Sequence, residues 1–206
     1  MNLYGLLAGL VVVFNGPPSS GKDTLTMHLQ ANTGVTHSAF KIKLIEVALA
    51  ISGVDSLTWE RWYAADKEVA RPELWGRSCR EFLILVSETM IKPSLGSDYF
   101  GVAAAQVIHK NHEALTDYGV CFSDSGFDDE LAQVVQEVGS ENVVVVQLHR
   151  SGTNFKGDSR AYLKRENFPG VLFIQQQNDR PAEEVAGELI ETLACVVADK
   201  RNCVNA

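Results

Sequence analysis

The segment Gly16-Pro17-Pro18-Ser19-Ser20-Gly21-Lys22-Asp23-Thr24 carries the clearest chemical signal in the chain. Its glycines let backbone N–H groups converge on one point, and Lys22 adds a mobile cation. An apolar run, Gly9–Asn15, precedes the loop, and a helical pattern, Lys22–Gln30, follows it. A helix N-terminus there adds partial positive charge, so the segment is built to hold phosphate oxygens. Asp23 reads as a first-turn acid favoured by the helix dipole. The hydroxyl of Thr24 comes one position later and is a candidate metal contact beside the phosphates.

Three further groups could complete such a site. Asp124 ends the apolar run Val120-Cys121-Phe122-Ser123, at the strand end where open α/β sheets place ligand chemistry. It could hold Mg²⁺ directly or through water, or simply form an Asx turn, with Asp128 and Asp129 close behind. From Arg150 to Asn167, five cations (Arg150, Lys156, Arg160, Lys164 and Arg165) face only Asp158 and Glu166. That predicts a mobile basic lid over 150–167, bringing Arg150 and Arg160 to a transferring phosphoryl group. Arg77-Ser78-Cys79-Arg80 opens a predicted helix, where two guanidiniums and a helix N-terminus could grip a monoester phosphate. Trp59, Trp62, Tyr63, Trp75, Tyr99 and Phe100 offer flat surface to a base, or merely pack their lobe.

The elements that position these groups follow from hydrophobic pattern. Gly9–Asn15, Gly119–Ser123, Asn142–Leu148 and Gly170–Gln175 are continuous apolar runs, as strands buried on both faces are. A weaker strand falls near His37–Phe40. Helical patterns cover Lys22–Gln30, Lys41–Ile51, Gly76–Ile91, Asp98–Lys110, Asp128–Val138 and Pro181–Val197, with Asp179 as a cap for the last. Alternating strands and helices predict an α/β fold, a parallel sheet with helices on both faces. All 206 residues read as one domain, with a helical acceptor-binding insertion over about 41–118 and the lid over about 150–167.

Composition excludes several classes. Apolar residues are 46% and charged residues 21%, which is not the composition of a disordered chain. A net charge of −8 argues against binding polymeric nucleic acid. Leu6–Phe14 lacks a preceding Lys or Arg and a cleavage site, and it is too short to span a bilayer, so neither secretion nor membrane insertion is expected. Cys79, Cys121, Cys195 and Cys203 form no CxxC pair and read as reduced cytoplasmic thiols. His109 and His112 stand three apart without a third ligand.

With these residues in place, the chain resembles the deoxynucleoside monophosphate kinases of tailed bacteriophages, a branch of the P-loop nucleotide kinases. The resemblance rests on Gly16–Thr24 with its GKDT ending, Phe40-Lys41-Ile42-Lys43-Leu44 and Gly76–Leu83. It continues in Ile91-Lys92-Pro93, Asp98-Tyr99-Phe100, Ser123-Asp124, the Arg150 segment and Asn178. It implies a three-layer P-loop kinase fold that moves a phosphoryl group from ATP to a dNMP with Mg²⁺, in the cytoplasm of the host if phage-encoded. By position it implies that Gly16, Ser19, Ser20, Gly21, Lys22, Asp23 and Thr24 hold ATP, with Asn178 beside its adenine. Lys41, Arg77, Arg80 and Tyr99 would lie near the acceptor, Lys22, Arg150 and Arg160 would be catalytic, and Asp124 and Thr24 would serve the metal. Two residues depart from the pattern: Cys79 stands where proline is expected, and Ser125-Gly126 replaces an arginine-containing continuation.

Two other functions fit the same motifs: a kinase of another small acceptor, ribonucleotide or nucleoside, and a P-loop ATP-binding regulatory module. An N-K-x-D motif and a D-x-x-G after a strand are both missing, which argues against a GTPase. The partners expected are small nucleotides. Oligomeric state stays open, a homodimer included.

Overall fold

The computed structural model describes residues 3–204. In chain order, β1 (Val11–Asn15) leads through the glycine loop into α1 (Lys22–Thr33), β2 (Thr36–Ser38), α2 (Lys41–Ser52) and α3 (Ser56–Asp66). A short ribbon of β3 (Ala70–Arg71) and β4 (Arg77–Ser78) precedes α4 (Cys79–Ile84), a π-helical stretch (Leu85–Ile91) and α5 (Lys92–Leu95). Then come α6 (Tyr99–Lys110), α7 (His112–Tyr118), β5 (Val120–Phe122), α8 (Asp128–Val138), β6 (Val143–His149), β7 (Leu172–Gln177) and α9 (Ala182–Val204).

The main sheet has the order β2-β5-β1-β6-β7, and its pairings are parallel. Its apolar runs are continuous because alternate residues serve two cores. Val12, Phe14, Val144 and Val146 pack with Leu25 and Leu29 of α1 and with Leu189 and Leu193 of α9. Val11, Val13, Val143 and Val145 pack on the other face with Ala104 and Ile108 of α6 and Leu131 and Val134 of α8. The fold is therefore the three-layer α/β arrangement expected, with helices on both faces of a parallel sheet. No helix among the described residues is long and apolar enough to cross a membrane.

The helical lobe has its own core of Ala48, Trp59, Leu74, Phe82, Leu83 and Val86. That core ends before α6. Helices α6 and α7 bury Phe100, Ala104, Ile108 and Leu115, and all but Phe100 pack into the core on the sheet's second face. A Cβ on Gly101 would lie 2.5 Å from the Glu130 carbonyl oxygen, so α6 and α8 meet backbone to backbone. The insertion is thus shorter than 41–118, because its last two helices line the sheet.

Local boundaries also shift for identifiable reasons. The helix predicted from Gly76 starts at Cys79, where Ser78 and Glu81 form a reciprocal capping box. Gly76, with φ +76°, instead joins the turn of the ribbon. Asp179 does not cap α9. Its carboxylate accepts hydrogen bonds from the backbone N–H of Ser151 at 2.8 Å and from the Ser151 hydroxyl at 3.1 Å. His109 and His112 fall on different helices, and His109 pairs with Glu137 at 2.9 Å.

Candidate active site

The glycine loop, Asp124, Arg150 and Asn178 follow β1, β5, β6 and β7, so they gather at the carboxyl edge of the sheet. The loop is held tightly from behind. A Cβ on Gly16 would lie 2.9 Å from the Leu148 carbonyl oxygen and 2.8 Å from Ser20 Oγ. Ser19 and Gly21 take positive φ values of 63° and 96°, which curls the chain into a cradle. A non-glycine residue held there is strained, and such strain is a property of ligand-gripping turns. Asn178 is buried and its amide donates to the Ser20 carbonyl at 2.6 Å. It therefore buttresses the loop.

Lys22 lies inside the cradle, its Nζ donating to the carbonyl oxygens of Gly16 and Pro17 at 2.7 Å each. Burial, reinforced by the charge of Arg160, lowers its pKa to about 8, with Asp23, Asp124 and Asp158 opposing. Pro18, Ser19, Lys22 and Asp23 form one wall of a cavity of about 230 Å³. Its other walls come from α2 (Phe40, Lys41, Leu44), the helical lobe (Tyr63, Lys67, Arg80, Leu83), the β5 end (Ser123, Asp124, Ser125) and the lid (Asp158, Ser159, Arg160). Phe100, Phe127 and Glu130 close it on the side of α6 and α8.

Asp124 is buried, and its two oxygens accept the backbone N–H groups of Phe40 at 2.7 Å and Lys41 at 3.1 Å. It thereby satisfies free donors at the start of α2 and fixes Lys41 at the cavity. Burial alone would lower the Lys41 pKa, but Asp124, Tyr63 and Asp23 outweigh it and hold the ammonium more firmly charged.

Of the lid's cations, Arg160 reaches the cavity. Its stem lies on Gly126, where a side chain would collide with it. The Ser125-Gly126 departure thus makes room for a guanidinium supplied by the lid. Asp158 receives Arg160 twice, Nε at 2.9 Å and Nη2 at 2.7 Å, and receives Arg80 Nη2 at 3.1 Å. Burial works against its ionisation, yet Arg160 and Arg80 prevail and hold its pKa down to about 2. One carboxylate therefore ties the lid to the helical lobe.

Both ends of the lid are fastened. Ser151 is held by Asp179 as described, and Asn15 binds the far end. Asn15 is fully buried; its amide donates to Ala161 O at 3.0 Å and Ser125 O at 3.2 Å, and its carbonyl accepts from Leu163 N at 2.9 Å. Gln147, in register with Asn15 on β6, donates to Asn15 at 3.1 Å and to the Leu163 carbonyl at 2.8 Å. The freely mobile lid expected over 150–167 is thus a segment anchored at 151 and 161–163, because buried strand polar groups need those partners.

A second, more open cavity of about 360 Å³ lies beyond the loop, lined by Pro17, His149, Arg150, Phe155, Tyr162 and Gln177 among others. Arg150 belongs here, its Nη1 donating to the Ser19 carbonyl at 3.3 Å. The glycine loop is thus a wall shared by two cavities.

Several expected residues lie elsewhere. Thr24 is exposed and lines neither cavity; one residue of helix turns it away, and Asp23 faces the first cavity instead. Arg77 is held on β4, where its guanidinium donates to the Trp75 carbonyl at 3.4 Å, outside the cavity. Tyr99 packs edge-on against Phe100, and Phe100 is the ring that reaches the cavity. Sequence reasoning missed Asn15, Asp158, Lys67 and Glu130. A polar residue closing an apolar strand just before Gly16 was a signal for Asn15, and the Asp-x-Arg spacing was one for Asp158.

Among the described residues no group of three or more His, Cys, Asp or Glu could hold a metal ion. Mg²⁺ in phosphate sites takes one or two carboxylates and keeps water and phosphate as its other ligands. Asp23 and Asp124, both lining the cavity beside Lys22, fit that limited role.

No protein-family model and no curated protein matches the chain. Among solved structures, an unliganded sugar kinase from Janibacter sp. HTCC2649 is similar at 12% identity, with 88% of this chain and 92% of that chain covered and a TM-score of 0.46. So loose a likeness carries no argument about chemistry.

Proposed function

We propose that the chain is a kinase that transfers the γ-phosphate of ATP to a deoxynucleoside monophosphate, giving ADP and a dNDP. The observation that carries this reading is the glycine loop standing between two cavities, with Lys22 on the side that Arg80 and Arg160 also enter. A nucleotide whose phosphates lie in the cradle would have its base in the open cavity, near Arg150, Phe155 and Tyr162. The acceptor would occupy the closed cavity, its phosphate toward Arg80, Arg160 and Lys41 and its ring against Phe40, Phe100 and Phe127.

The chemistry asked of the protein is positioning and charge stabilisation, with no covalent intermediate. Lys22 and Arg160 bring positive charge to the oxygens of the transferring group. Asp23, assisted by Asp124, would hold Mg²⁺, which supplies charge neutralisation on the phosphates when bound. An acceptor filling the more enclosed cavity would displace water from the phosphoryl group, which limits hydrolysis. An assay of ADP release with ATP, Mg²⁺ and each common ribo- and deoxynucleoside monophosphate tests the reading. ADP should form only when an acceptor is added, and fastest with a deoxynucleotide. ATP binding with no turnover of any monophosphate would overturn it in favour of a regulatory module.

A further inference from the structure

We infer that Glu130 and Ser125 read the acceptor's ring and select one that carries an exocyclic amino group. The inference rests on the monophosphate-kinase reading above and specifies its substrate. The Ser125 residue is only 3% exposed, and its Oγ has no hydrogen-bond partner although it borders the closed cavity. A buried hydroxyl left unpaired is costly, and a polar group of a bound molecule would satisfy it.

Glu130 borders the same cavity and is 6% exposed. Its cation is Lys92, with Nζ 3.6 Å from Glu130 Oε1, beyond hydrogen-bond distance, but 3.0 Å from Glu88. The same ammonium lies over the Phe127 ring, 3.4 Å from its centroid. Two carboxylates therefore share one lysine already engaged elsewhere. Burial, with Asp124 and Glu88 nearby, raises the Glu130 pKa to about 7 against the pull of Lys92.

The lining thus combines cations that suit a phosphate, Lys22, Arg80 and Arg160, with a carboxylate that accepts hydrogen bonds, Glu130, and a hydroxyl that can accept or donate one, Ser125. Phe100 and Phe127 add flat apolar rings to the same lining. Cytosine, adenine and guanine present an N–H₂ group to a carboxylate. Uracil and thymine present one N–H flanked by carbonyl oxygens, and an oxygen facing Glu130 is repelled. A site built for a hydrogen-bond donor discriminates strongly against an analogue that lacks it.

The pair dCMP and dUMP isolates this feature, since they differ in the substituent at ring carbon 4 and in the adjacent N–H. Binding is measured by calorimetry at pH 8, where Glu130 is mainly ionised, alongside dNDP formation. The common phosphate cancels the contribution of Lys22 to the ratio. The wild type should bind dCMP at least tenfold more tightly than dUMP. Glu130→Gln, whose amide offers a donor to a carbonyl, should shrink that ratio tenfold or more. Ser125→Ala removes a hydroxyl that supports no internal hydrogen bond, so it should fold normally and still weaken dCMP binding about three- to tenfold. Equal binding of dCMP and dUMP, or a ratio unmoved by both substitutions, overturns the inference while leaving the kinase reading standing. Binding of ATP but of no monophosphate overturns the kinase reading and the inference with it.

Discussion

Asp158→Asn separates two roles of one carboxylate. Asp158 joins Arg160 on the lid to Arg80 on the helical lobe, and its side chain is 5% exposed. Its pKa lies near 2 instead of the usual 3.8. A shift approaching two units corresponds to at most about 2.5 kcal/mol of native-state stabilisation. Because the folded value is the lower one, this stability is fully present above about pH 4 and is lost as pH falls toward 2. The variant should therefore be less stable than wild type by about 1–2.5 kcal/mol at pH 7, a fall of roughly 2–10 °C in Tm for a chain of this size. The two proteins should converge only near pH 2 and below. Phosphate affinity should move the opposite way. A carboxylate and a phosphate ~6 Å apart repel by about 2–3 kcal/mol at an effective dielectric of 20. If about half survives screening, inorganic phosphate should bind about tenfold more tightly to the variant. Thermal melts over pH 2–8 and calorimetric phosphate titrations read both effects. Unchanged stability together with weaker phosphate binding would refute the idea that Asp158 competes for these arginines.

Lys22→Ala should keep Tm within a few degrees and lower kcat by about 10²-fold or more, as loss of a transition-state charge does; near-normal kcat in a folded variant would remove the donor site. Arg160→Ala should lower kcat about 10²-fold, whereas Arg150→Ala should mainly raise the KM for ATP and Arg77→Ala should change little, which steady-state kinetics can separate. The depressed pKa of Lys22, about 8, means that the empty cradle loses its charge as pH rises past 8. ATP binding should then take up a proton, and affinity should fall by up to tenfold per pH unit between about 8 and 10, measurable in buffers of different ionisation enthalpy. On the proposed reading the acceptor's sugar meets the apolar part of the cavity lining and a 2′-hydroxyl is left without a partner, so dGMP should exceed GMP in kcat/KM by roughly 10- to 100-fold; a ratio near one would remove the deoxy preference alone.

Local sequence signals suffice for features whose cause is local. The run Val11–Phe14, the Gly16–Gly21 turn and the helix after it follow from residue type and spacing alone. So does the parallel character of the sheet, because runs such as Val143–Val146 must be buried on both faces. The clustering of the loop, Asp124, Arg150 and Asn178 at one edge follows from parallel strands, since each group comes just after one. Other features depend on distances that spacing along the chain does not encode. Asp158 reads as a minor counter-charge in a basic run until folding brings Arg80, 78 residues away, against it. Asn15 becomes the lid's anchor only because Ala161 and Leu163 return to the end of β1. Asp23 replaces Thr24 at the cavity because helix phase decides which side chain faces inward. Glu130 sits in the first turn of a helix, where an acid is ordinary. Its burial, and the pKa that burial imposes, arise only when the lobe, α6 and α8 close around it. Charge pairing and burial are properties of three-dimensional neighbours, so the tertiary structure decides which groups in this chain can meet a ligand.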